Sequence, residues 1–198
     1  MAFILKKSRK DKMITGKNHI GNKQSAKGNT TYKTFNPQLN LENEAVFTEA
    51  TTEEIHEAVD LASEAFKTFR TISGEKKAAF LNAIADEILA LNDELIQMYC
   101  SESGLPEGRA KGERGRTIGQ LRMYADLVSG GSWSVATIDT AALDRVPMPT
   151  SDIRELLVPL DPVVAFKSSN LPLDHTTAGG DRAASWAAYC AAILKCNP

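Results

Sequence analysis

The fold is decided by the sequence PVVAFKSSNLP at residues 162–172, together with AILK at residues 192–195. Both stretches contain a short, continuous apolar run, which is typical of parallel strands that are buried on both faces. Between them, a polar turn is followed by a segment at 176–189 that holds seven Ala or Gly residues and predicts a closely packed helix. Strand, turn, helix and strand in fewer than 40 residues make one βαβ unit. We therefore predict an α/β fold with the two strands parallel.

Helical patterns lie upstream of this unit. The sequence Thr51-Thr-Glu-Glu54 places a hydroxyl and a carboxylate three residues apart, as in a capping box, and predicts a helix that continues to Phe69. Ser73 is a candidate N-cap for a second helix, whose apolar periodicity continues to Gly104. A third helix is predicted over about residues 107–128, and its apolar face contains Ile118, Leu121, Tyr124, Ala125 and Val128.

Glycine and β-prone residues mark the remaining elements. Glycines at positions 108, 112, 115 and 119 lower the helix propensity of the third helix and would let another backbone or a ligand come close. Residues 13–37 predict a hairpin, or two strands around polar turns, closed by Asn36-Pro37. Residues 132–160 predict two strands around an irregular, proline-containing loop.

Composition excludes several classes of protein. The chain has 198 residues, of which 42% are hydrophobic and 24% are charged, the balance of a globular protein and not of collagen or a disordered chain. We see no apolar run near the roughly 18 residues of a membrane span, so we expect no membrane partner. Three cysteines, far apart and odd in number, argue against a disulfide framework and favour the reducing cytoplasm. The three histidines, His19, His56 and His175, have no metal-site or catalytic-triad spacing, so we expect no metal.

Charge is distributed unevenly along the chain. Residues 1–40 hold nine basic residues and one acid, a net charge of +8 against −2 for the whole chain. A basic head can bind nucleic acid or an anionic membrane, and the competing interpretation is a solvated, disordered tail over residues 1–12. No Phe, Trp or Tyr lies between Lys6 and Tyr32, so the head lacks a base-stacking platform and we expect no nucleic-acid partner.

Chemistry in an α/β fold is expected where the parallel strands end. Ligands bind near the carboxyl ends of such strands, and here the turn after the first strand carries Asn170. Its side-chain amide can donate a hydrogen bond to developing negative charge. The alternative is an ordinary turn residue that satisfies its own backbone. Neither GxGxxG nor GxxxxGK[ST] occurs, so the common dinucleotide and P-loop signatures are absent.

Several of these segments together resemble the aldehyde dehydrogenase family. Residues 162–173, 178–181 and 192–198 are similar to the start of its cofactor domain. Residues 102–106 and 113–125 resemble the bacterial branch that oxidises α-ketoglutaric semialdehyde (2,5-dioxovalerate). The resemblance implies a Rossmann-like cofactor domain and NAD- or NADP-dependent oxidation of an aldehyde substrate. In that reaction a cysteine attacks the aldehyde and a hydride leaves to the nicotinamide, after which water releases the carboxylate.

The resemblance also implies roles for particular residues. Asn170 matches the oxyanion-hole amide, and Lys195 matches the lysine that hydrogen-bonds the adenosine ribose. Arg116 lies on the helix that lines the family's substrate tunnel and is a candidate for the distal carboxylate of the substrate, with Arg122 as its competitor. The other implied contacts are Phe166, Ser168 and Ser169 to the cofactor and Leu171 to the substrate.

The resemblance places the nucleophilic cysteine and the activating glutamate downstream of Lys195. We therefore expect an N-terminal fragment that is inactive alone, with a basic tail at 1–12, a hairpin, helical and bridging part at 13–160, and a truncated cofactor domain at 161–198. The alternative is a non-catalytic oligomerisation or binding module derived from the same fold, since the family's members form homo-oligomers. Cys100, Cys190 and Cys196 are interpreted as buried or incidental residues.

Overall fold

The computed structural model describes residues 14–167, 173 and 192–195, and it contains both helices and strands. The elements in chain order are β1 Asn18–Ile20, β2 Lys23–Ser25, β3 Thr31–Asn36, β4 Leu41–Thr48, α1 Thr52–Phe69, α2 Gly74–Ala90, α3 Asn92–Ser103, α4 Glu107–Gly130, β5 Thr137–Asp139, β6 Ile153–Glu155, β7 Val164–Lys167 and β8 Ala192–Lys195. The basic tail predicted for residues 1–12 lies outside the described residues.

Two antiparallel hairpins form the N-terminal part, where the sequence predicted one. β1 pairs with β2, and β3 pairs with β4. The prediction that Asn36-Pro37 closes the β structure is wrong, because the chain reverses there and returns as β4. The side-chain Oδ1 of Asn36 accepts hydrogen bonds from the N–H groups of Gln38 and Leu39, at 3.0 and 3.1 Å, and so shapes this reversal.

The start of α1 confirms the predicted capping box. The Thr51 hydroxyl accepts from the Glu54 N–H at 3.2 Å, and the Glu54 carboxylate accepts from the Thr51 N–H at 2.9 Å. The other carboxylate oxygen of Glu54 accepts from the N–H of Lys27 at 3.2 Å. One buried side chain therefore caps the helix and also ties it to the segment that follows β2.

The predicted second helix is two helices. Ser73 caps α2 as expected, but the helical path breaks at Asn92, whose φ of +49° lies in the left-handed region. Asparagine enters that region more readily than most residues, and α3 begins there. Gly104, at φ +69°, ends α3, and its N–H bonds the Cys100 carbonyl at 2.9 Å, which confirms the predicted stop.

The main core lies between α2 and α4. Leu81 and Ala85 of α2 pack against the predicted apolar face of α4, formed by Ile118, Leu121, Tyr124, Ala125 and Val128. The close approach that we expected at the α4 glycines does not occur in the described part of the chain. A Cβ placed at 108, 112, 115 or 119 would meet nothing there within 4 Å.

The C-terminal elements follow the predicted order. β5 and β6 form an antiparallel pair around an irregular loop, as expected for residues 132–160 but with shorter strands. β7 and β8 are parallel and in register, Val164 opposite Ala192 and Lys167 opposite Lys195, which confirms the predicted pairing. The predicted α/β class is thus confirmed, while the helix expected at 176–189 lies outside the described residues.

Candidate functional site

The carboxyl ends of β7 and β8 lie side by side. Their parallel register places Phe166 opposite Leu194 and Lys167 opposite Lys195. β7, which ends at Lys167, and β8, which ends at Lys195, therefore end at the same sheet edge, the edge where α/β sheets bind ligands. The structure thus brings Phe166 and Lys195 to neighbouring strands. The other turn candidates, Ser168, Ser169, Asn170 and Leu171, lie outside the described residues.

Leu173 contacts the helices. Its N–H donates to Oε1 of Glu113, on α4, at 2.7 Å. Its half-buried side chain packs on a second apolar cluster, made of Ile96, Tyr99 and Ala110. Leu173 is therefore anchored by one polar and one apolar contact to α3 and α4.

A buried Tyr–Glu pair supports this anchor. The Tyr99 hydroxyl donates to Oε2 of Glu113 at 2.6 Å, and both side chains are buried. Burial, with the adjacent Glu113 carboxylate, raises the pKa of Tyr99 to about 12, against the opposing effect of Arg109. The phenol therefore stays protonated near neutral pH and can donate its hydrogen bond to Glu113.

Sequence analysis missed this pair. Glu113 was noticed only as part of the stretch that resembles a family, and Tyr99 was not singled out. One signal was available, because Glu113 falls between Ala110 and Thr117 at helical spacing, on a face of α4 that continues through Ile118 and Leu121. A carboxylate inside an apolar stripe needs buried donors, and Tyr99 and Leu173 supply them.

The two candidate arginines have different positions on α4. Arg122 forms an ion pair with Asp86 of α2, with 3.1 Å between Nη2 and Oδ1. Arg116 is exposed and lies three residues beyond Glu113, so the two are neighbours on the helix surface. Arg116 is thus the arginine placed next to the Leu173 anchor, whereas the guanidinium of Arg122 is engaged by α2.

Among the described residues, no group of three or more His, Cys, Asp or Glu side chains could hold a metal ion. None of the helices described is long and apolar enough to cross a bilayer. Cys100 is a partly buried free thiol on α3 that packs against the cluster of Ile96, Tyr99 and Ala110.

Comparisons with known proteins agree with the fold. Residues 23–198 match the model of the aldehyde dehydrogenase family. The chain is 44% identical over 185 residues to α-ketoglutaric semialdehyde dehydrogenase 2 of Azospirillum brasilense, covering 93% of the chain and 35% of that enzyme. It is 36% identical over 182 residues to α-ketoglutaric semialdehyde dehydrogenase of Acinetobacter baylyi, covering 92% and 35% respectively.

Solved structures show the same architecture. Betaine aldehyde dehydrogenase of Staphylococcus aureus, a point mutant in complex with NAD+, superposes with a TM-score of 0.76 at 17% identity over 92% of this chain and 35% of that one. Succinate-semialdehyde dehydrogenase of Burkholderia pseudomallei gives 0.74 at 20% identity over 90% and 35%. The chain spans about a third of the length of these relatives. With its Rossmann-like α/β fold and a family match over most of its length, the chain belongs to the aldehyde dehydrogenase family.

Proposed function

We propose that this chain is the N-terminal part of an NAD- or NADP-dependent dehydrogenase that oxidises a semialdehyde to a carboxylate, with α-ketoglutaric semialdehyde as its substrate. The single observation that carries the proposal is the 44% identity to the Azospirillum brasilense semialdehyde dehydrogenase over 93% of the chain. The parallel register of β7 and β8 supports it, because it provides the sheet edge that such a fold uses for a ligand.

Asn170 is the proposed catalytic residue within these 198 residues. Its side-chain amide would donate a hydrogen bond to the aldehyde oxygen as negative charge develops there. Such a donor stabilises the transition state more than the ground state, since the charge it faces is larger in the transition state. The nucleophilic cysteine and the activating glutamate belong, by the family resemblance, to the two-thirds of the relatives that this chain does not span.

The proposed cofactor contacts are Phe166, Ser168, Ser169 and Lys195. The register of the strand ends fits a dinucleotide, because it places two lysine positions, 167 and 195, beside each other at the binding edge. Basic residues there suit an anionic ligand, and Lys195 is proposed to hydrogen-bond the ribose hydroxyls. The nicotinamide ring, when bound, accepts the hydride. A dehydrogenase assay with each cofactor distinguishes NAD from NADP.

Arg116 is the proposed anchor for the distal carboxylate of the substrate, and Leu171 is the proposed apolar contact. A guanidinium binds a carboxylate through two parallel hydrogen bonds, which selects a dicarboxylic semialdehyde over a simple aldehyde. Arg122 remains the competing candidate and forms an exposed ion pair with Asp86.

The test is a dehydrogenase assay with the protein purified from its natural source. We expect reduction of NAD+ or NADP+ that depends on α-ketoglutaric semialdehyde and is slower with a simple aldehyde of similar size. The 198-residue chain alone is expected to give no turnover. Absence of aldehyde-dependent reduction by the natural protein contradicts the proposal. Cysteine-dependent turnover by the 198-residue chain contradicts the proposal that the nucleophilic cysteine lies outside these residues.

A second role, assembly into a homo-oligomer, is favoured by the surface of residues 135–160. This stretch exposes large apolar side chains, among them Ile138, Leu143, Val146, Leu156 and Leu160. Burying such a patch against a second copy removes apolar area from water. Light scattering during size exclusion is expected to show a dimer or larger species, and a monomer at all concentrations contradicts this role.

We also propose a cytoplasmic location. The low cysteine content and the free thiol of Cys100 suit a reducing compartment. Fractionation of cells of the natural source is the direct measurement, and recovery of the protein with the membranes contradicts this location.

A further inference from the structure

Glu113 is a buried carboxylate that the proposed chemistry does not use. Its two oxygens have separate donors, the Leu173 N–H at 2.7 Å and the Tyr99 hydroxyl at 2.6 Å. Both distances lie at the short end of the range for their types of hydrogen bond. Burying a carboxylate costs free energy unless its oxygens accept hydrogen bonds. The Leu173 N–H and the Tyr99 hydroxyl therefore stabilise the buried Glu113 side chain.

The two bonds join three distant parts of the chain. Tyr99 lies on α3, Glu113 on α4, and Leu173 follows the turn after β7, 60 residues beyond Glu113. The Leu173 side chain adds an apolar contact with the cluster of Ile96, Tyr99 and Ala110. α3 and α4 therefore both contact residue 173.

Covalent geometry links this support to the proposed catalytic residue. Asn170 precedes Leu173 by three residues, so their Cα atoms lie within about 11 Å of each other in any conformation. On the other side, Lys167 is held by the pairing of β7 with β8, three residues before Asn170. In the sequence, Asn170 is three residues from each of Lys167 and Leu173, two points of the chain that are fixed by independent interactions.

We propose that Glu113 is a positioning residue, which fixes the backbone at Leu173 and thereby limits where the turn that carries Asn170 can lie, with Tyr99 orienting the Glu113 carboxylate. The proposal rests on the role given to Asn170 above. A hydrogen-bond donor for a developing oxyanion is effective only if it is held in place before the reaction, since reorganising it during the reaction costs free energy. The anchor supplies that constraint from outside the turn.

Amide hydrogen exchange at single-residue resolution on the 198-residue chain tests the anchor without any turnover. In Glu113→Ala the Leu173 amide loses its acceptor, and we expect its exchange to be about tenfold faster. Glu113→Gln keeps an oxygen that can accept, so it is expected to restore most of the protection. The matched control is Glu107→Gln, on the same helix but in an exposed pair with Lys111, which should leave Leu173 unchanged.

The pattern of exchange separates positioning from general destabilisation. The amides of Tyr124 and Ala125, in the core of α4, are the internal reference and should keep their wild-type rates. Unchanged exchange at Leu173 in Glu113→Ala, or equal acceleration at the reference amides, overturns the proposal.

If the alanine variant fails to fold, Tyr99→Phe tests the proposal instead. It leaves the Leu173 acceptor present but removes the donor that orients it, and we expect exchange at Leu173 alone to be about threefold faster. An unchanged rate there overturns the proposal.

The link to catalysis is measured on the active protein from its natural source. Glu113→Ala is expected to lower kcat about tenfold with little change in the KM for NAD+ or NADP+, and Glu113→Gln to recover most of kcat. An unchanged kcat in Glu113→Ala overturns the link. Absence of activity in the wild-type protein instead contradicts the proposed function, while the exchange result at Leu173 stands by itself.

Discussion

The core between α2 and α4 and the β5–β6 segment at residues 135–160 carry similar apolar side chains in opposite surroundings. In the core, Leu81, Leu121 and Ala125 are each at most 5% exposed. In the β5–β6 segment, Val146 and Leu160 are 88% and 84% exposed. Side chains of the same type therefore stabilise the first region and not the second. The comparison teaches that the helical region is stabilised by burial of its own apolar side chains, whereas the β5–β6 segment leaves such side chains exposed in the described part of the chain.

The largest expected effect sharpens this comparison with one substitution in each region. Leu121→Ala leaves a cavity between α2 and α4, and we expect it to lower the free energy of unfolding by about 2–5 kcal/mol. The matched control, Leu160→Ala, removes the same atoms from an exposed site and should change it by less than about 0.5 kcal/mol. Denaturant unfolding measures both. Equal effects would mean that Leu160 is as well packed as Leu121 and would remove the contrast.

The next effect concerns how the helical region begins. Thr51→Ala removes the hydroxyl that caps α1, and we expect a loss of about 1 kcal/mol in the free energy of unfolding. Thr52→Ala, one residue later and exposed, is the control and should be close to neutral. Thermal unfolding of the two variants is the measurement. Equal melting temperatures would show that the cap contributes nothing to the stability of the helical region.

The capping box also predicts a pH dependence for the stability of the helical region. Hydrogen bonds from the Ser25 side chain and from the Thr51 and Lys27 backbones lower the pKa of Glu54 below its ordinary value of 4.5. A carboxyl group whose pKa is depressed on folding stabilises the fold above its unfolded pKa. That stabilisation is lost as the pH falls through the folded value. The melting temperature should therefore fall below about pH 4.5.

Glu54→Gln isolates this contribution. Glutamine keeps the shape of the side chain but has no proton to gain, so we expect the acid-induced fall in melting temperature to be smaller than in the wild type. Glu44→Gln, which changes a carboxylate of β4 outside the capping box, should preserve the wild-type slope. Identical slopes for Glu54→Gln and the wild type would show that other carboxylates cause the acid sensitivity.

Local signals explain which parts of the fold were predictable. The capping box at Thr51, the Ser73 N-cap and the Gly104 stop each depend on a few adjacent residues, and all three are confirmed. The break at Asn92 was missed because apolar periodicity continues through it, and one residue with positive φ leaves little trace in the pattern. β4 was missed because LENEAVFT is rich in polar residues and gains its order from pairing with β3.

The candidate site was predictable in position but not in its support. A turn after a buried strand, with a second apolar run downstream, was enough to predict the shared edge of β7 and β8. The bond from Leu173 to Glu113 joins residues 60 positions apart, and no local pattern encodes such a pairing. A charged residue on a helix is solvated in most proteins, so the helical spacing that places Glu113 on the apolar face of α4 did not by itself predict its donors.

The smallest expected effect tests the ion pair that crosses the outer surface of the α2–α4 region. Asp86 and Arg122 are 3.1 Å apart, yet their side chains are 69% and 51% exposed, so water screens their attraction. We expect Asp86→Asn to lower the free energy of unfolding by less than about 0.5 kcal/mol, and added salt to reduce even that difference. The control is Asp126→Asn, because Asp126 is also an exposed carboxylate but lies on α4. A loss as large as that of Leu121→Ala would show that this surface pair, and not the apolar core beneath it, holds α2 to α4.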